Sequence, residues 1–159
     1  MRLAVISDTH MPRGRRRLPT ERLRDADLIL HAGDLSTVAV LDELEAIGPP
    51  VVAVVGNVDE PALRERLPEE REIDAEGARI AMVHDAGPAK GRLERLRIRF
   101  PDADAVVFGH SHIPLHEERE GFQIFNPGSA TDRRRQPRYT MGRADVVGGR
   151  VRFRLVALD

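Results

Sequence analysis

Short runs of Val, Ile, Leu and Ala, each closed by turn-forming residues, punctuate the first two thirds of the chain. They are RLAVIS (2–7), DLILHAG (27–33), VVAVVGN (51–57), ARIAMVHD (78–85) and ADAVVFGH (103–110). Runs this short and this continuous predict strands covered on both faces. Helix-like segments lie between them. STVAVLDELEAIG (36–48) opens on Ser36 and Thr37 as cap candidates and stops at Gly48 before two prolines. PAKGRLERLRIRF (88–100) spaces Leu93, Leu96 and Phe100 at three and four, a single apolar stripe. Strands alternating with helices predict a mostly parallel sheet.

The last third changes rhythm. Residues 114–129 read as two strands around a turn near Gly121. Residues 139–158 read as a hairpin turning at Gly148-Gly149, with Val151, Phe153 and Leu155 on one face. REIDAEGARIAMVH (71–84) predicts a further hairpin around residue 77. The expectation is an α/β fold: an α/β first half feeding a second, hairpin-rich sheet, the two packed as a β-sandwich flanked by helices. Residues 1–159 are taken as one domain, since no linker is long enough to split them.

Composition narrows the chemistry. Without cysteine, disulfides and thiolate metal sites are impossible. A net charge of −1, with five Phe and one Tyr, argues against a protein built to grip nucleic acid. No apolar run approaches the ~18 residues of a membrane span, and no secretory leader is recognisable, so a cytoplasmic protein is expected. Basic residues are almost all arginine, Lys90 being the single lysine. The strong charge runs are 12–19 and 132–138, which read as solvated loops or as a positive rim for an anionic substrate.

The residues that follow each apolar run carry the chemistry. They are Asp8-Thr9-His10, Gly33-Asp34, Gly56-Asn57, His84-Asp85 and Gly109-His110-Ser111-His112. Alone, each is ordinary turn or capping chemistry. In an α/β sheet, however, ligands bind beyond the carboxyl ends of the strands. Five strands ending in metal-competent side chains therefore predict one shared site. Read as extended chain, His110 and His112 would lie ~6.6 Å apart on one side, a spacing that suits ions ~3.5–4 Å apart.

This ordered set resembles the calcineurin-like metallophosphoesterases. The short length and NPGS (126–129) are similar to the small bacterial and archaeal phosphodiesterases of that superfamily and to the retromer subunit Vps29. The resemblance implies a helix-flanked α/β/β/α sandwich and a binuclear centre. Asp8, His10 and His112 would bind one metal; Asn57, His84 and His110 would bind the other; Asp34 would bridge both. Asp34, Asn57, His84 and His110 would also carry the catalytic role. Nitrogen and oxygen donors without thiolate favour Mn, Fe, Zn, Co or Ni over Mg or Ca; Mn²⁺ is the family-based choice. The implied reaction is hydrolysis of a small phosphodiester by a metal-bridging hydroxide.

Two departures matter. Larger relatives often read Gly-Asn-His, the histidine helping the leaving group depart; here Val58 follows Asn57. Asp59 and His31 are the remaining acid candidates, although His31 reads better as a core residue orienting a ligand. Relatives commonly place glycine after the histidine of VHDAG; here Asp85 is read as a turn residue. NPGS fits a type II turn with Pro127 and Gly128 at its centre, Asn126 and Ser129 being able to support ligands. His116 is expected to face solvent. The competing reading is a Vps29-like scaffold that binds partner proteins, and a phosphomonoesterase or nuclease of the same superfamily is a further alternative. Retention of His10, His84, His110 and His112 favours the enzyme. The sequence leaves a homo-oligomer open.

Overall fold

The computed structural model describes residues 1–10 and 16–158. Part of the arginine-rich 12–19 segment lies outside these residues. The apolar runs become β1 (Arg2–Ile6), β2 (Leu28–His31), β3 (Val51–Ala53), β5 (Ala78–Val83) and β6 (Ala105–Val107). The hairpin partners are β4 (Glu70–Ala75), β7 (Leu115–Arg119), β8 (Phe122–Asn126), β9 (Tyr139–Val147) and β10 (Arg150–Leu158). Two five-stranded sheets form, ordered β10-β9-β1-β2-β3 and β4-β5-β6-β8-β7.

Why the runs are continuously apolar follows from their two faces. Leu3 and Val5 point into the layer between the sheets, where Leu30, Ile80, Met82, Val107 and Phe125 meet them. The alternate residues Ala4 and Ile6 point outward, to the layer of α1 (Thr20–Arg24), α2 (Val38–Glu45) and α3 (Pro61–Arg66), which contribute Leu23, Leu41, Leu44 and Leu63. On the second sheet, Ala81, Val106 and Phe108 face α4 (Arg92–Arg99) through Leu93 and Leu96. Period two is present, but both phases are buried. Each fully buried leucine contributes about 1.5–3 kcal/mol. The result is the expected helix–sheet–sheet–helix stack.

The division of strands between sheets differs from the expectation. The C-terminal hairpin does not join the second sheet: β9 returns to pair antiparallel with β1, Leu3 opposite Ala144. Val151 and Phe153 enter the inter-sheet core, whereas Leu155 is exposed and Val156 and Leu158 pack on the helix side. At α2, Thr37 occupies the cap position without a side-chain bond. Glu60 Oε1 accepts the Val38 N–H at 2.8 Å instead, and Asp59 Oδ1 accepts that of Ser36 at 2.7 Å. His116 is exposed, yet its ring packs edge-on against Phe125 and Phe153. Among the described residues, no helix is long and apolar enough to cross a membrane.

Candidate metal centre

β1, β2 and β3 run parallel in the first sheet, as do β5 and β6 in the second. The loops after their carboxyl ends interlock. Asp8 N–H donates to Gly33 O at 2.9 Å, and Gly109 N–H donates to His84 O at 3.0 Å. His110 N–H donates to Asp8 Oδ2 at 3.0 Å. The strand ends of both sheets are thus tied into one edge.

All seven sequence-predicted residues converge there. Potential ligand atoms of Asp8, His10 and His112 lie within 4.8 Å of one another, and so do those of Asp34, His84 and His110. Asn57 joins the second group, its Oδ1 lying 3.0 Å from His84 Nε2 and 3.1 Å from His110 Nδ1. Asp34 Oδ2 stands between the groups, 3.5 Å from His10 Nε2 and 3.1 Å from His84 Nε2. His110 and His112 separate, one ring to each group. They are not on extended chain as expected: both have positive φ, 70° and 61°. So do Asp8, His10 and Asp34. Five left-handed non-glycine residues in one site, at about 1–2 kcal/mol each, mark stored strain that the surrounding contacts must hold.

Main-chain carbonyls set the ring tautomers. His84 Nδ1–H donates to Ala32 O at 2.7 Å, and His112 Nδ1–H donates to Asp132 O at 2.6 Å. With its proton committed at Nδ1, a neutral ring aims an Nε2 lone pair at the centre. His112 Nε2 faces His10 Nε2 at 3.1 Å. Among the described residues, Asp8 Oδ1 is the buried side-chain oxygen without a hydrogen-bond partner, though three Nε2 atoms surround it, His112 at 3.4 Å and His10 and His84 at 3.8 Å. An unsatisfied buried carboxylate oxygen costs free energy. Acceptors converging on acceptors, with no thiolate, fit divalent cations bound through nitrogen and oxygen.

The electrostatics agree. Burial alone would lower the His84 pKa, but the hydrogen bond with Asp34 and the charges of Asp8 and Asp34 outweigh it and hold the ring up at about 9. The field that holds a proton there also attracts a cation. Burial would raise Asp34; its bonds to His84 and to the Val58 N–H, with the charge of the rings, bring it down to about 2. Burial lowers His112, and the nearby Arg134 charge adds to that.

The acid candidates are structural. Asp59 is buried, which raises its pKa, and it accepts the backbone N–H groups of Asp34, Ser36 and Gly56. His31 is wholly buried. Gly33 N–H donates to its Nδ1 at 3.1 Å, so its proton sits on Nε2, toward Thr9 Oγ1 at 3.2 Å. Burial drives its pKa down to about 3. Asp85 accepts the Gly87 N–H at 2.8 Å and closes a turn. In NPGS, Gly128 has φ 71°, as the third position of a type II turn needs. Ser129 Oγ donates to Asp8 O, and Asn126 Nδ2 to Gly109 O. Thr131 and Ser7, missed in the sequence, hold Thr9 O and Asp8 Oδ2. Lone hydroxyls in a loop or strand end carry no local signal of that role.

His31 provides a pH test. Unfolded, it takes a proton near its ordinary pKa of 6.5; folded, only near 3. Lower pH therefore favours the unfolded chain across that window, by up to about 1.4 kcal/mol per pH unit. In chelator-treated protein, urea midpoints should fall more steeply between pH 6.5 and 4.5 for wild type than for His31→Gln. Parallel slopes would refute the assignment.

Comparison with known proteins bears on this site. Residues 1–149 match the family described as the calcineurin-like phosphoesterase superfamily domain. A probable metallophosphoesterase of Methanothermobacter thermautotrophicus is 38% identical over 136 residues, 82% of this chain and 78% of that one. A phosphodiesterase of Methanocaldococcus jannaschii is 26% identical over 141 residues, 80% and 83% of the two chains. The crystal structure of wild-type Vps29 from Entamoeba histolytica, complexed with Zn²⁺, superposes with a TM-score of 0.76 at 25% identity, covering 99% of both chains.

Proposed function

The chain belongs to the calcineurin-like phosphoesterase superfamily, and from that premise we propose that it hydrolyses phosphodiesters at a binuclear centre of Asp8, His10, Asp34, Asn57, His84, His110 and His112. The observation that carries this reading is the partnerless, buried Asp8 Oδ1 facing three imidazole nitrogens. When bound, two divalent ions supply hydroxide near neutral pH and neutralise charge gathering on the phosphoryl oxygens. Mn²⁺ is our choice of ion, from the family.

The chain's own part is to position and to balance charge. Asp34, standing between the groups, is the carboxylate suited to bridging, having lone pairs on both oxygens. Histidine and asparagine donors are neutral, so two divalent cations against Asp8 and Asp34 leave the centre net positive and attractive to a diester anion. The carbonyls of Ala32 and Asp132 keep the rings aimed.

Neither acid candidate stands ready for the leaving group: Asp59 and His31 are buried in backbone bonds, and the Val58 side chain has no proton to give. Turnover of bis(4-nitrophenyl) phosphate with added Mn²⁺ tests the function, and no hydrolysis by metal-replete protein would leave the Vps29-like scaffold reading in its place. Along an aryl series, the rate should fall steeply as leaving-group pKa rises. A flat dependence would show that another group supplies the proton.

A further inference from the structure

Next to the centre lies a cavity of 240 Å³ that the proposed mechanism leaves unused. His112, Ile113, Arg133, Arg134, Arg135 and Gln136 are among its lining residues. The run that forms its wall, 132–138, holds four arginines and one aspartate in a chain of net charge −1. Arg133 is committed: its Nη1 donates to Gln136 O, and its guanidinium lies over the Tyr139 ring. Arg134 and Arg135 are exposed, and neither has a hydrogen bond or carboxylate partner among the described residues. Arg134 sits at φ 50°, a costly backbone for a long side chain.

The base of this loop is fixed to the centre. Ser129 Oγ accepts the Thr131 and Asp132 N–H groups and donates to Asp8 O, and Asp132 O anchors His112. The loop that carries the two unengaged guanidiniums is therefore anchored at its base beside His112. A guanidinium forks onto phosphate oxygens in a planar, bidentate way that an ammonium cannot.

We propose that this cavity is a subsite for a second, non-scissile phosphate, so that the preferred substrates are small phosphodiesters bearing an additional phosphoryl group. The inference rests on the phosphodiesterase reading of the neighbouring centre, but its binding test does not.

The test is calorimetric titration of the Mn²⁺-loaded protein with thymidine 3′,5′-bisphosphate and thymidine 5′-monophosphate. The bisphosphate should bind at least about tenfold more tightly, and Arg134→Ala/Arg135→Ala should abolish that advantage. Glycerol bisphosphate should show the same advantage over glycerol phosphate, because the subsite reads phosphate alone; an advantage confined to the nucleotide would overturn that. Equal affinities in wild type, or a variant that weakens both ligands equally, would overturn the subsite. In kinetics, the double variant should raise KM for the 4-nitrophenyl diester of thymidine 3′,5′-bisphosphate with little change in kcat. Bis(4-nitrophenyl) phosphate, lacking the second phosphate, should be nearly unaffected. Selective bisphosphate binding without turnover of any diester would sink the proposed function and leave the subsite standing.

Discussion

Asp34→Asn should lower kcat for bis(4-nitrophenyl) phosphate by about a thousandfold, on the order of 4 kcal/mol of transition-state stabilisation. The substitution is chosen because the fold should survive it. The Val58 N–H donates to Asp34 Oδ1 at 3.0 Å, and the asparagine oxygen can keep that bond. The amide nitrogen then takes the place of Oδ2, within 3.1 Å of His84 Nε2 and 3.5 Å of His10 Nε2. It brings a donor where the site offers lone pairs, and it removes the negative charge. A neutral amide nitrogen cannot bridge two cations. Bound metal, measured after desalting, should fall from two ions per chain to one or fewer, with the circular dichroism spectrum of the chelated protein unchanged. Near-normal turnover with two ions retained would remove Asp34 from the bridging role, and with it the binuclear mechanism.

Gly56→Ala should be nearly as damaging, although Gly56 offers no side chain to the chemistry. A Cβ built there would lie 2.1 Å from Asp34 Oδ1 and 2.3 Å from Asp34 N. One of these atoms is backbone, and Asp59 Oδ2 accepts the N–H groups of both Asp34 and Gly56. The strand-end loops cannot separate without breaking that link. Displacement of Asp34 by about 1 Å is expected to cost on the order of a hundredfold in turnover. Overpacking adds about 1–3 kcal/mol of destabilisation, or several degrees in Tm for a chain of this size. Paired measurements of Tm and metal content separate the two effects. An alanine variant with unchanged metal content and rate would show that the close approach of Gly56 to Asp34 is not needed. Gly109 stands in the same relation to Asp8, its Cβ position being 2.5 Å from Asp8 Oδ2. Gly56 and Gly109 are there for room, so that two loops can close on a carboxylate.

Much of this was open to inspection in the chain. Ala4 and Val5, or Val106 and Val107, are adjacent and all apolar, which told of strands covered on both sides. The polar residues that stop those strands pointed to one candidate site, because parallel strands end on one edge. All seven meet there. Less was legible about the C-terminal hairpin. Val151 and Phe153 declare an apolar face, but any partner with a matching face would satisfy it. Pairing of β9 with β1 joins residues about 140 positions apart, as in Leu3 opposite Ala144, and no local pattern encodes such a choice.

The chemistry of the centre divides in the same way. Residue types, their order and their charge are properties of the chain itself: two carboxylates, one amide, four imidazoles, no thiol. Orientation is not. His110 and His112 could have lain on extended chain; instead both turn through left-handed backbone and send their rings to opposite groups. Which nitrogen of His84 and His112 faces inward depends on Ala32 O and Asp132 O, 52 and 20 residues away. Sequence by itself determined which atoms could bind a cation, since donor chemistry belongs to the side chain. Tertiary structure decided that they point at one place, since strained dihedrals and tautomers are held only by contacts between distant segments.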